Sequence, residues 1–398
     1  MAQPTLWAGV DAGKAAHHCV VINADGQRVL SRRIVNDEAA LTDLIRTVKE
    51  LADGGAAQWA IDLNSGGAAL LITLLLDDDQ DLLYIPGRNV HHASAAYRGD
   101  GKTDKDAAII ADQARMRRDL HPFRHRDKTA VDLRILCARR TDLASDRNRA
   151  INRLRAQLLE YFPALERAFD LAHRKAALIL LTGYQTPQGL RRMGAARLER
   201  WLRDRHAYNA GDIAARAIEA ANAQHTTVIG QAVAASVVAR LAQTVLDLNA
   251  ELADVDAMIE ATFQKHRLAG IITSMPGFGS LLGAELIAAT NGDLTTFNTA
   301  DRFAGIAGLA PVPRDSGRIS GNLIRPRRYD RRLLRVFYLA ANNAIKNCPE
   351  SRTYYDRKRS QGKRHSQAVL CLARRRLNVL WAMQRDNTSY QPGLPRAA

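Results

Sequence analysis

Cysteine is scarce and scattered in this chain of 398 residues: Cys19, Cys137, Cys348 and Cys371 show no CxxC spacing, which excludes a zinc ribbon or a disulfide framework. Long apolar runs are missing too. No stretch approaches the about eighteen residues of a membrane span. The opening MAQPTLWAG lacks the basic start of a signal peptide, so a cytoplasmic protein with no membrane partner is expected. Negative charge is in deficit. Asp and Glu total 41 against 57 Lys and Arg, a net charge of +16, which favours polyanionic partners, nucleic acid before an anionic lipid surface. The length allows two or three domains, each with its own core.

The first third reads as a small α/β domain. Strand-like runs at 6–11, 17–22 and 27–35 are separated by Gly-Lys and by Asn-Ala-Asp-Gly, turn chemistry that suits an antiparallel meander. A helix follows, with Asn36 as its N-cap, Asp37 and Glu38 in its first turn, and an apolar stripe of Leu41, Leu44, Ile45 and Val48. Next come a strand at 56–62 ending in Asp62, a Gly-Gly turn, the apolar helix ALLITLLL, a fifth strand at 81–86 and a helix over 106–118. That element order matches a ribonuclease H-like fold.

Two of these strands end in an acid, Asp11 and Asp62, and KTDKD at 102–106 precedes the last helix. Neighbouring strands that end in carboxylates bring them together at one edge, where Asp104 or Asp106 can join them. Such a cluster repels itself unless a divalent cation sits within it. Oxygen ligands suit magnesium or manganese, and metals so held can activate a nucleophile and steady the leaving oxygen of a phosphodiester. The bland alternative is that Asp62 and Asp104 cap the helices that follow them.

From about 128 to 168 the composition suits one long helix, and residues 170–225 read only as helical and polar. Between 226 and 266 the positions Val238, Leu241, Val245, Leu248, Leu252, Val255 and Ile259 form a heptad seam. It serves either a dimer contact through a helical hairpin or packing within one subunit. In the last third, PGFG at 276–279 is either a phosphate-binding hairpin before a helix N-terminus or a plain interhelical turn. Residues 311 to 376 hold 18 Lys and Arg against 4 acids, so +14 of the total +16 lies there. Tyr329, Tyr338, Tyr354 and Tyr355 add rings able to stack on bases. Ser316 stands in Arg-Asp-Ser-Gly between Arg314 and Arg318, which could stabilise an alkoxide and an attacked phosphate; otherwise it is a turn serine.

Taken together, GVDAGK, the acid-ended strand before Gly-Gly, KTDKDA with IIADQARMRR, and later PGFG with GLAPVPRDSG resemble the insertion-sequence transposases that pair a RuvC-like domain with a C-terminal serine domain. That family is related to Piv-type DNA invertases, and its members are described as bridge-RNA-guided recombinases. The likeness covers roughly 7–118 and 270–345. It implies a DEDD metal site at Asp11, Asp62, Asp104 and Asp106, binding magnesium or manganese, and a nucleophilic serine at Ser316. It further implies donor and target DNA, a guide RNA, and a homo-dimer or tetramer. Lys102, Arg314, Arg318, Arg325, Arg327, Arg328, Arg331 and Arg332 are the expected nucleic-acid contacts.

The expected organisation is α/β followed by α: a RuvC-like domain over 1–127, a helical or coiled-coil region over 128–268 and a basic, mainly helical transposase domain over 269–398. Two departures from the family pattern stand out. Asp62 replaces the usual Glu, and Asp104 and Asp106 are two residues apart instead of three, which on a helix points them to different faces. Either Asp104 precedes the helix or the site is impaired, with Asp100 or Asp112 as substitutes. Two rival readings differ in class. An actin-like kinase or ATPase should carry further glycine-rich phosphate loops, which are absent; a non-catalytic nucleic-acid-binding protein would need only the basic tail.

Overall fold

The computed structural model describes residues 4–97, 103–118, 120–123, 127–317, 320–324 and 326–392. It divides into two compact units, Met1–His125 and Arg126–Ala398. The first contains β1 (Pro4–Asp11), β2 (Ala16–Asn23), β3 (Arg28–Val35), α1 (Glu38–Leu51), β4 (Ala56–Ile61), α2 (Ala69–Asp77), β5 (Asp81–Tyr84), α3 (Gly87–Ser94), α4 (Thr103–Met116) and β6 (His121–Pro122). They build one mixed sheet in the order β3-β2-β1-β4-β5-β6. The first three strands form the expected antiparallel meander, while β1–β4 and β4–β5 run parallel.

Strand β1 is central and covered on both faces, which is why it is apolar almost throughout. Leu6, Ala8 and Val10 pack toward α1 and α2, and Trp7 packs on the opposite face with α4. Strand β3, at the edge, carries Arg28, Ser31, Arg32 and Arg33, charged and polar residues that discourage pairing with another chain. Helix α1 buries Leu41, Leu44, Ile45 and Val48 as expected, but its N-cap is Asp37, whose side chain accepts from the Ala40 N–H. Asn36 is otherwise engaged: its amide donates to the carbonyls of Lys14 and Gly67, tying two loops together.

Among the described residues the second unit is helical apart from one small hairpin. Its elements are α5 (Lys128–Tyr161), α6 (Pro163–Ala168), α7 (Lys175–Gly183), α8 (Pro187–Met193), α9 (Ala195–Arg203), α10 (Ala210–Asn222), α11 (Gln231–Phe263), α12 (Ala269–Ser274), α13 (Ser280–Thr290), α14 (Ala300–Ile306), β7 (Val312–Pro313), β8 (Leu323–Ile324), α15 (Arg331–Asn347), α16 (Pro349–Ser360) and α17 (His365–Arg385). Helices α5 and α11 lie antiparallel, stitched by Arg139 to Glu251, Arg140 to Asp256 and Arg147 to Asn249.

The heptad seam is used inside the chain. Val238 and Val245 are buried in one core with α7 and α10, and Val255 and Ile259 in another with α13 and α15. These four seam positions therefore serve packing within the chain. Nor is there a break near residue 268: residues of α5, α11 and the C-terminal helices share one core. Residues 170–225 are less polar than they read, since α7 buries Ala176 through Leu181. No helix among the described residues is long and apolar enough to cross a membrane.

The PGFG stretch is an interhelical turn. Phe278 is buried in the core, the Pro276 carbonyl accepts from the buried Arg376 guanidinium, and Gly277 has φ +88°. A Cβ at Gly277 would lie 2.2 Å from the Ala340 carbonyl oxygen. Glycine is needed there both for backbone conformation and for contact with α15.

Candidate active site

The carboxylates are brought together by register and by one missing side chain. In the parallel β1–β4 pair Val10 stands beside Ile61, so Asp11 and Asp62 are the next residues along, at the C-terminal edge of the sheet. Side chains alternate along a strand. Asp11 therefore shares the face of Trp7 and Gly9, and Asp62 that of Ala60, the face that α4 covers. Helix α4 comes down against Gly9 so closely that a Cβ there would lie 2.2 Å from the Ala107 carbonyl oxygen and 2.3 Å from the Ala111 nitrogen. That approach delivers Asp106, the neighbour of Ala107, to the strand ends.

Asp11 and Asp62 feel the charges around them. Burial first, then the charges of Asp62 and Asp106, push the Asp11 carboxyl up to about 6. Burial also pushes Asp62 up, opposed by its hydrogen bond from the Ala12 N–H at 3.2 Å and raised further by Asp106. Asp62 thus holds the loop after β1, and the N-cap of the helical turn that follows is Ser65.

Asp104 is not part of this group. Helix α4 starts at Thr103, so Asp104 lies within it, about 200° around the axis from Asp106. Its carboxylate pairs with Arg28 at 3.3 Å, and both side chains are close to half exposed. The expectation that all four acids converge is corrected accordingly, because two-residue spacing inside a helix separates the faces. Asp112 does not replace it: it accepts from the Tyr97 hydroxyl at 2.6 Å and from Arg115 at 2.8 Å. Asp100 lies outside the described residues.

Among the described residues no three acidic, histidine or cysteine side chains stand close enough to enclose an ion. The donor set still fits magnesium, which keeps several waters and is commonly held by one or two carboxylates plus substrate phosphate. Asp11, Asp62 and Asp106 are hard oxygen donors whose mutual repulsion a divalent cation would relieve. Sequence reasoning missed one neighbour, His17. It is 1% exposed, and burial pushes its pKa down, opposed first by its side-chain interaction with Asn36 and then by the charge of Asp62. The only signal was its place two residues before the buried run CVVI, which alternation alone could not distinguish from an exposed strand start.

Ser316 lies at the exposed tip of the β7–β8 hairpin, followed by Gly317 in the left-handed region. The hairpin is fastened by Arg314 N–H to the Asn322 carbonyl at 2.8 Å and by Asn322 N–H to the Asp315 carboxylate at 3.2 Å. The Ser316 hydroxyl has no hydrogen-bond partner among the described residues. Arg314, Arg327, Arg328, Arg331 and Arg332 are all exposed on the hairpin or the segment that follows it. Lys102, Arg318 and Arg325 lie outside the described residues.

Comparison with known proteins gives two family matches. Residues 8–163 match a transposase model, DEDD_Tnp_IS110, and residues 269–356 match the model of the transposase IS116/IS110/IS902 family. The chain is 65% identical over its whole length, and that of the relative, to the insertion element IS900 uncharacterized 42 kDa protein of Mycobacterium paratuberculosis. It is 47% identical to the insertion element IS116 uncharacterized 44.8 kDa protein of Streptomyces clavuligerus, over 98% of this chain and 97% of that one. A mini-circle putative transposase for IS117 from Streptomyces coelicolor is 27% identical over 94% and 93%.

Proposed function

The chain belongs to the IS116/IS110/IS902 family of insertion-element transposases, and on that premise we propose that it cuts and rejoins DNA with two devices: carboxylates that hold a cation, and the Ser316 hydroxyl. The observation that carries the first is the convergence of Asp11, Asp62 and Asp106, with Asp11 pushed up to about 6. Magnesium, or manganese, bound there supplies charge neutralisation at the scissile phosphate and at the leaving oxygen. The Ala12 N–H keeps Asp62 oriented, and Gly9 keeps Asp106 within reach of Asp11. Asp104 has no role in this proposal.

The second device is supported by the exposure of Ser316 and by the arginines around it. Ser316 Oγ loses its proton to solvent and bonds to phosphorus, while the bond from phosphorus to one deoxyribose oxygen breaks and that oxygen takes up a proton. A hydroxyl of a second strand later attacks the phosphoserine, and the serine regains its proton. Arg314, Arg327, Arg328, Arg331 and Arg332, with Lys102, Arg318 and Arg325, bind the phosphates. A structured guide RNA and a dimeric or tetrameric assembly complete the proposal; the net charge of +16 supports a large polyanionic partner.

The test is a protein–DNA adduct on a denaturing gel, formed with a terminal fragment of the insertion element and its RNA in magnesium. The parent is expected to form it, and Ser316→Ala and Asp11→Asn to lose it. An adduct in Ser316→Ala removes the serine from the mechanism; one in Asp11→Asn removes the carboxylates.

A further inference from the structure

The α16–α17 pair carries a second basic surface whose charges its own chain leaves unbalanced. Between residues 351 and 365 stand six Lys and Arg against a single acid, Asp356, and Arg352 engages that acid at 2.8 Å. Three cations crowd one ring. The guanidinium carbons of Arg357 and Arg375 lie 5.1 and 5.3 Å from the Tyr354 ring centroid, and the Lys358 ammonium lies 5.7 Å from it. An aromatic face attracts one cation, but three positive charges around one ring repel each other. Among the described residues none of the three has a carboxylate within ion-pair distance. Arg357 and Arg375 are exposed, and Lys358 is half-buried.

We propose that this surface grips the phosphate backbone of duplex DNA, independently of base sequence and separately from the Ser316 hairpin. The charges sit on anchored elements: Tyr355 and His365 hydrogen-bond across the two helices at 2.8 Å, and the Arg359 guanidinium donates to the Lys363 carbonyl at 2.8 Å. A single strand is held by free aromatic faces on which bases stack. The cations already occupy the Tyr354 ring, and the half-buried Tyr355 ring packs edge-on with His365, so the surface offers chiefly charge, which suits the outside of a duplex. Phosphates carry no sequence information directly, so the contact positions DNA without selecting it. The inference rests on the family's action on DNA, not on the carboxylates or on Ser316.

The test uses the full chain and a random-sequence DNA duplex, with binding measured by fluorescence anisotropy across a sodium chloride series. Arg357→Gln, Lys358→Gln and Arg375→Gln combined should flatten the slope of log affinity against log salt by about 2.7, from about 0.9 per phosphate contact. Each single variant should flatten it by about 0.9, which keeps the test valid if the triple variant misfolds. A control triple that removes the same charge from the exposed Arg153, Arg192 and Arg200 should leave the slope near that of the parent. An unchanged slope in the first set overturns the proposal. So does an equal change in both sets, or an effect seen on single-stranded DNA or duplex RNA but not on duplex DNA. Adduct formation by the Arg357, Lys358 and Arg375 variants at low salt is read separately from the slope, so failure of the catalytic reading and failure of this one are separately visible.

Discussion

Replacing Gly9 with alanine adds one methyl group at the point where α4 meets β1. The new Cβ would lie 2.2 Å from the Ala107 oxygen, 2.3 Å from the Ala111 nitrogen and 2.9 Å from the Ala111 Cα. Ordinary contacts are about 3.5 Å or more between carbon atoms, so α4 must withdraw by about 1 Å, and all three obstacles are backbone atoms that cannot swing aside. Overpacking of this kind costs about 1–3 kcal/mol. The same displacement carries Asp106 away from Asp11, and a misplacement of about 1 Å can cost about 100-fold in rate. Expected, then, are a lower unfolding midpoint in urea and an adduct yield reduced by about two orders of magnitude at a temperature where the variant is still folded. Gly305→Ala serves as the control, because nothing lies within 4 Å of its Cβ position. A Gly9→Ala protein with the parent's midpoint and the parent's adduct yield would refute the claim that this contact sets the carboxylate geometry.

Asp104→Asn should lose only the exposed pair with Arg28, about 0–1 kcal/mol, and keep adduct formation, whereas Asp106→Asn should abolish it; the reverse result would restore the four-acid site. For Asp11 the folded pKa is raised, from an ordinary 3.8 to about 6, so the folded state binds more protons and metal-free stability falls as pH rises from near 4 through 6. Asp11→Asn should therefore raise the metal-free melting temperature at pH 7, by the equivalent of about 1–2 kcal/mol after allowance for solvent, and should weaken the stabilisation that added magnesium gives the parent. Differential scanning calorimetry at pH 5 and 7 checks both signs.

What could be read from the sequence was what local chemistry decides. Alternating apolar residues and turn dipeptides placed β1, β2 and β3, and the stripe on α1 was right at all four positions. What could not be read depended on distant partners. Asn36 and Asp37 are both good caps, and the choice fell to Asp37 because the Gly67 carbonyl takes Asn36. Asp104 was ambiguous because the start of α4 decides whether it joins Asp11, and that start was read three residues late. The seam on α11 has the same spacing whether it meets another chain or α5. His17 and Gly9 took on meaning only once α4 and the neighbouring loops were in place.

Helices α5 and α11 run through both cores of the second unit: Leu133 and Phe263 belong to one, Leu154 and Val238 to the other. At 34 residues α5 is about 51 Å long, from a rise of about 1.5 Å per residue. Neither core owns its helices, so the tip cannot be excised as a module without opening the base. Matched deletion of whole turns from both helices would instead shorten the strut while leaving each end's packing intact, a way to vary reach without redesigning either terminus.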